Sequence, residues 1–598
     1  MLLSACSILP GNNPDPRKII TEGKTAEEIV AELTLEQKAA QMIQPAGYNP
    51  TISADMRCDG YGSVLHMYDK ESPDEWKRFI LDLQEQALRS PAGIPYIYGT
   101  DSVHGNIRGD ETVIFPHNIG VGAANDPELT YQMGLAVADE MKMTGMLWNF
   151  APCVATAQDL RWGRTYESYS SDPEIVKSLG VAYAKGNIDG GVLPCAKHFL
   201  GDGNTTFGSA SIADNGWWED SFLDRGDAEL SGEQLDEILA VYKALVDSGV
   251  KTIMPSFSSI NGVRMHYNKE LITGVLKEKW GFDGFVISDW EATHFIPGND
   301  LKEQTINAVN TGIDMLMEPD RYKDCMNYII EGVSEGLIPR ERVDDAVTRI
   351  IRVKIDMGII ADPMMENLEI RADAAGCDEY RNLARQLVEK SLVLLKNENK
   401  ILPLKKGSKI YVAGPAANDT GALCGGWTYA WLGNLDSAAG GKYVSHGKTI
   451  LDGFNMLADE YGYTIITDPA KAKEVDVVVL CVGEIPYAEY TGDTKDPSLT
   501  GPLALSGNRK AIEAVKKLGK PTVACIVAGR NVFYDAFEKD WKAVVMCYLP
   551  GSEGDGVANV LAGKAPFSGK LPMPYYSSAE DIGTSNVKFE VGYGLNIV

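Results

Sequence analysis

The sequence predicts an α/β protein in two parts, a (β/α)8-type barrel followed by an α/β sandwich with a mostly parallel sheet. Three observations carry this. Short apolar runs, each ending in a polar residue, recur between helical patterns through the first part of the chain. One of them, Gly281–Trp290 (Gly-Phe-Asp-Gly-Phe-Val-Ile-Ser-Asp-Trp), reads as a turn, a buried strand and then an acid and an aromatic at the strand's C-terminal end. A second series of Val-rich runs follows residue 380 with helices between them.

The first helix start is Thr34-Leu35-Glu36-Gln37, where Thr34 caps, Gln37 stands three residues on and Leu33 is placed as a staple. Strands are then expected at Gly62–Leu65, Ile94–Tyr98, Met146–Phe150, Val192–Ala196, Val250–Met254, Phe285–Ile287 and Ile313–Met317. Amphipathic helices such as Leu235–Leu245 and Lys302–Asn310 intervene. The strand ends carry Asp101, Lys197-His198, Ser256, Asp289 and Glu318. A lone Asp after a strand reads as a helix cap. Polar residues at several corresponding ends read instead as a site on one face of the barrel.

The expected organisation is a tail over 1–19, a barrel over 20–357, a linker over 358–379 and the sandwich over 380–598. In the last part, strands are expected at Val393–Leu395, Ile410–Ala413, Thr464–Thr467, Val477–Val482, Thr522–Val527 and Val544–Leu549, with helices at Tyr380–Ser391, Ile450–Glu460 and Arg509–Leu518.

Composition narrows the partners. With 598 residues and 44% hydrophobic side chains there is ample core. The formal net charge of −27 disfavours nucleic acid and anionic membranes, so a neutral small molecule or polymer is the expected partner. No apolar run reaches the length of a membrane span. The ten cysteines form no C-x-x-C pair and read as inert thiols, and no metal site is expected. Leu3-Ser4-Ala5-Cys6 resembles a bacterial lipobox with only Met1 and Leu2 before it, which implies a periplasmic or cell-envelope protein anchored through Cys6, and otherwise a cytoplasmic one.

Asp101, Arg164, Lys197, His198 and Asp289 offer donors and acceptors together, and Trp290 offers a flat ring. That combination suits a sugar, whose hydroxyls take bidentate partners and whose CH face stacks on indole. No G-x-G-x-x-G or P-loop spacing accompanies them, so nucleotide binding is unsupported.

The segments Tyr98–Gly105, Arg161–Ser168 (Arg-Trp-Gly-Arg-Thr-Tyr-Glu-Ser), Lys197–Gly203 (Lys-His-Phe-Leu-Gly-Asp-Gly) and Ser288-Asp289-Trp290 resemble, in order, the motifs of family 3 glycoside hydrolases. The resemblance is to two-domain exo-acting β-glucosidases and β-glucan glucohydrolases and covers nearly the whole chain. It implies a retaining exo-β-glucosidase acting on β-glucans or β-glucosides, without metal or organic cofactor. By the same resemblance Asp289 is similar to the family's nucleophile and Glu489 to its acid/base. Asp101, Arg164, Lys197 and His198 look like the residues that grip the terminal glucosyl unit, with Met254 in the pocket wall. Trp431 resembles the ring that faces Trp290 across the next sugar, while Trp427 is expected to pack between domains. Arg164 and Lys197 are expected to keep Asp289 ionised, and burial to raise the proton affinity of Glu489.

The chain departs from plant-type members in having Phe257 in place of a tyrosine and Ile260 in place of a tryptophan. It also reads Lys-His-Phe-Leu-Gly-Asp-Gly-Asn where N-acetylglucosaminidases of the family place a catalytic histidine. β-Xylosidase or N-acetylglucosaminidase specificity, or carbohydrate binding without turnover, are the alternatives.

Overall fold

The computed structural model describes residues 23–67, 72–109, 111–210 and 221–597, so the lipobox-like Cys6 lies outside the described residues. Parallel strands build the first part: β1 (Ile43–Gln44), β2 (Ser63–Leu65), β3 (Ile97–Thr100), β4 (Trp148–Asn149), β5 (Leu193–Phe199), β6 (Thr252–Pro255), β7 (Phe285–Val286) and β8 (Leu316–Met317). Strands β2 to β7 form a curled six-stranded sheet in sequence order, and β1 pairs with β8. The two sheets meet at isolated bridges, Ala46 with Leu65 and Ile287 with Met315, so pairing thins at both seams. Helical chain between the strands covers the outer face of the sheet.

The sequence reading missed β1. Two residues directly after the helix Leu35–Gln41 carry no periodicity of their own, and only pairing with β8 defines them as strand. The capping box at Thr34 forms as expected, with Gln37 donating its N–H to the threonine hydroxyl at 3.3 Å and returning its side-chain oxygen to the Thr34 N–H at 2.9 Å. The third strand begins at Ile97 rather than Ile94.

The second sheet has six strands, β9 (Val393–Asn397), β10 (Lys409–Ala413), β11 (Thr464–Ile466), β12 (Val477–Gly483), β13 (Thr522–Val527) and β14 (Ala543–Met546), in the order β9-β14-β13-β12-β10-β11. Of these six, β9 alone runs antiparallel to its neighbour. Strands β12 and β13 are buried along their whole length, which is why they read as unbroken apolar runs. One apolar core joins the two parts: Ile119, Trp162 and Tyr166 of the first pack with Tyr487, Leu549 and their neighbours of the second. Among the described residues no helix is long and apolar enough to cross a membrane.

Candidate active site

A cavity of about 660 Å³ opens at the C-terminal ends of the barrel strands and is walled on one side by two loops of the second domain. Asp101, Arg164, Lys197, His198, Met254, Asp289, Trp290, Trp431 and Glu489, every residue proposed from the sequence, line this one cavity. The curled parallel sheet explains the convergence of six of the first seven, since equivalent strand ends share one rim, whereas Arg164 comes from the loop beyond β4, at the start of the Thr165–Glu167 turn.

The buried end is polar. Lys197 Nζ donates to Asp101 Oδ1 at 2.6 Å, and Arg164 forks onto both oxygens of Glu167 at 2.8 and 2.9 Å. Burial works against the Lys197 charge, but Asp101 and Glu167 hold it above the ordinary lysine value. His198 contacts Asp202 through Nδ1 at 2.6 Å and points Nε2 toward Asp289 Oδ2 at 3.6 Å. The Asp289 main-chain N–H donates to His266 Nε2 at 3.0 Å. Burial depresses His266 to about 3, which keeps the ring neutral and its Nε2 an acceptor.

The open end is aromatic. Trp290 is held edge-on by His66 at 5.7 Å between ring centroids, and Trp431, 39% exposed, leans on Tyr490 at 6.1 Å. Trp427 lies in the cavity wall as well as at the domain boundary: its indole N–H donates to Glu167 at 3.2 Å, and Lys197 Nζ stands 5.5 Å from the ring centre. Packing between domains therefore describes only part of its environment.

The expected proton affinities of the two carboxyls are reversed. Burial raises Asp289 above the ordinary carboxyl value; His198 opposes this and Glu489 adds to it. Burial also pushes Glu489 upward, but Arg225 and Arg164 outweigh it and the carboxyl sits below its ordinary value. The reason is partner choice. Lys197 and Arg164 hydrogen-bond to Asp101 and Glu167 rather than to Asp289, whereas Glu489 pairs with Arg225, a residue the sequence reading passed over. The Arg225 guanidinium also lies 4.0 Å over the Phe257 ring, so the position noted as departing from plant-type members carries the cation that pairs with Glu489.

Residues 34–353 match the glycosyl hydrolase family 3 N terminal domain and residues 392–597 the glycosyl hydrolase family 3 C-terminal domain. The chain belongs to glycosyl hydrolase family 3. Within this family, a lysosomal beta glucosidase of Dictyostelium discoideum is 30% identical over 574 residues, spanning 87% of this chain and 67% of that protein. A beta-xylosidase of Formosa agariphila is 27% identical and spans 95% and 75%. The crystal structure of an exo-1,3/1,4-beta-glucanase from a Pseudoalteromonas species superposes with a TM-score of 0.86 at 33% identity, covering 98% of this chain and 76% of that one. The family 3 architecture is thus shared along both domains, and the chain is a glycoside hydrolase.

Proposed function

We propose that this family 3 hydrolase is a retaining, exo-acting β-glucosidase that releases glucose from the non-reducing end of β-glucans, β-gluco-oligosaccharides or β-glucosides. The observation that carries the reading is the polarity gradient of the cavity. Its buried end holds paired charges suited to the hydroxyls of one terminal sugar, and its open end holds rings suited to the sugar that follows. A blind polar end suits a chain terminus. The activities named for the Dictyostelium and Pseudoalteromonas proteins support the same substrate class.

In this mechanism Asp289 attacks the anomeric carbon while Glu489 gives its proton to the departing glycosidic oxygen, leaving a glucosyl ester on Asp289. Glu489, now a carboxylate, takes a proton from water, whose oxygen attacks the same carbon and frees Asp289. Atoms and charge balance over the cycle, and two displacements retain configuration. The decisive assay is p-nitrophenyl β-D-glucoside with wild type, Asp289→Ala, and Asp289→Ala plus azide. Azide rescue with inverted product supports Asp289 as nucleophile, and an active alanine variant refutes it. The Formosa relative favours β-xylosidase as the second reading, tested with the aryl β-xyloside.

Anchoring at Cys6 in the cell envelope rests on Leu3-Ser4-Ala5-Cys6 alone. Incorporation of labelled palmitate that disappears in Cys6→Ser supports it, and no incorporation refutes it.

A further inference from the structure

We propose that Arg225 is a positioning residue for acid catalysis, holding the Glu489 carboxylate at the pocket wall and controlling whether it carries a proton. The proposal rests on the reading of Glu489 as the acid/base.

Three features make this a built pair rather than a chance contact. First, the side chains meet inside the cavity: Arg225 Nη2 donates to Glu489 Oε2, and the guanidinium lies 4.0 Å from the ring centre of Phe257 and 5.5 Å from that of Tyr490. A planar cation against aromatic faces is oriented by them, which a lysine would not be.

Second, the main chain is fixed on both sides. Arg225 adopts φ +67°, a left-handed conformation that costs a non-glycine residue energy and persists only where surroundings enforce it. Those surroundings are explicit. Arg264 Nη1 donates to the Arg225 carbonyl at 2.8 Å and to the Phe257 carbonyl at 2.9 Å, which ties the arginine to its platform.

Third, one carboxylate locks the two loops in register. Asp493, four residues beyond Glu489, accepts the consecutive N–H groups of Phe222, Leu223 and Asp224 at 2.8, 2.7 and 2.9 Å. These are the residues immediately before Arg225. The loop carrying the acid and the loop carrying its cation therefore cannot shift independently.

The titratable and charged groups facing Glu489 come from several elements: Arg225 and Asp224 from the 221–225 loop, Arg164 and Tyr166 from the 161–167 segment, His198 from β5 and Asp289 from the end of β7. Of these groups Arg225 is the one hydrogen-bonded to Glu489 among the described contacts, so its removal is the largest single change available. Without it, only Arg164 and His198 still oppose the effect of burial, so the proton affinity of Glu489 rises.

The test reads Glu489 directly. Infrared difference titration of the carboxyl stretch, subtracting Glu489→Gln in the same background, is run on otherwise wild-type protein, on Arg225→Met and on Arg225→Lys, with thermal melts confirming a folded chain. The expected midpoint rises by about 1 to 3 pH units in Arg225→Met and by much less in Arg225→Lys. An unchanged midpoint in folded Arg225→Met overturns the proposal, as does an equal rise in both variants. The kcat/KM profile on p-nitrophenyl β-D-glucoside separates this from the reading beneath it. If the basic limb moves with the titration, both stand. If Glu489 titrates higher while the basic limb stays, Arg225 controls a carboxyl that is not the acid, and the role assigned to Glu489 fails instead.

Discussion

The main-chain N–H of Gly163 donates to the Asp493 carboxylate at 2.7 Å across a separation of 330 residues. This bond brings the Arg161–Ser168 segment of the barrel against the loop that carries Glu489. There is no room to spare, since a Cβ on Gly163 would stand 1.9 Å from the Glu489 carbonyl oxygen. Together with the three N–H groups from residues 222–224, it makes Asp493 the fastener of the domain crossing.

Replacing Asp493 by alanine strands four N–H donors, three of them buried. The expected cost is about 2–4 kcal/mol of stability, with kcat on any glucoside falling more than about tenfold (roughly 1.4 kcal/mol or more), because Glu489 loses its fixed position. Asp493→Asn, which keeps one acceptor oxygen, is expected to lie between the two. Thermal melts and steady-state kinetics check both, and a fully active alanine variant would show that the crossing is held elsewhere.

A second consequence concerns His198, whose Nε2 lies 3.6 Å from Asp289. His198 opposes the upward push that burial gives Asp289. Asp289 must be ionised to attack, so kcat/KM falls as pH drops through its raised value. His198→Gln removes the largest of the opposing influences, with Arg164 and Arg225 remaining, and the acid limb is expected to move to higher pH even though overall activity falls. A pH profile between about 4 and 8 decides this, and an unmoved acid limb would count against the pairing.

Stability should itself depend on pH through a buried histidine pair. His104 and His117 stack at 3.6 Å between ring centroids, with His104 Nδ1 2.9 Å from the Phe115 carbonyl and His117 Nε2 2.9 Å from the Gly426 carbonyl of the loop that carries Trp427. Burial depresses both below 6.5, His104 to about 4. A histidine depressed in the folded state contributes its full stability above about 6.5, and that contribution is lost as pH falls toward about 4. For His104 the swing is about 3 kcal/mol. The melting temperature is expected to drop across this window, with a flatter profile in His104→Gln.

Linkage tolerance follows from the open end of the cavity. Trp290 and Trp431 both line this end, and stacking on an indole does not read which hydroxyl carries the bond. Trp431→Ala is expected to lower kcat/KM on laminaribiose and cellobiose by a similar factor, about 2- to 10-fold. A loss confined to one disaccharide, or a wild-type enzyme that accepts only one, would place linkage recognition in directed polar contacts.

Much of this protein was legible in its sequence because local chemistry specifies it. The alternation of short apolar runs with amphipathic helices forecast both sheets, and the buried strands β12 and β13 are continuous because each is covered on both faces. Asp289 and Lys197-His198 were visible as strand-end residues, and a parallel barrel gathers such ends on one rim. Pairing across long separations was not legible. Strand β1 exists because Ile43 and Gln44 find Leu316 and Met317. Arg225 meets Glu489 across 264 residues, with no spacing to announce it. The proton affinities of Asp289 and Glu489 were misjudged for the same reason. A residue's type fixes which charge it offers, but only the folded chain decides which partner it faces, and at contact distance in a buried site the partner outweighs the type.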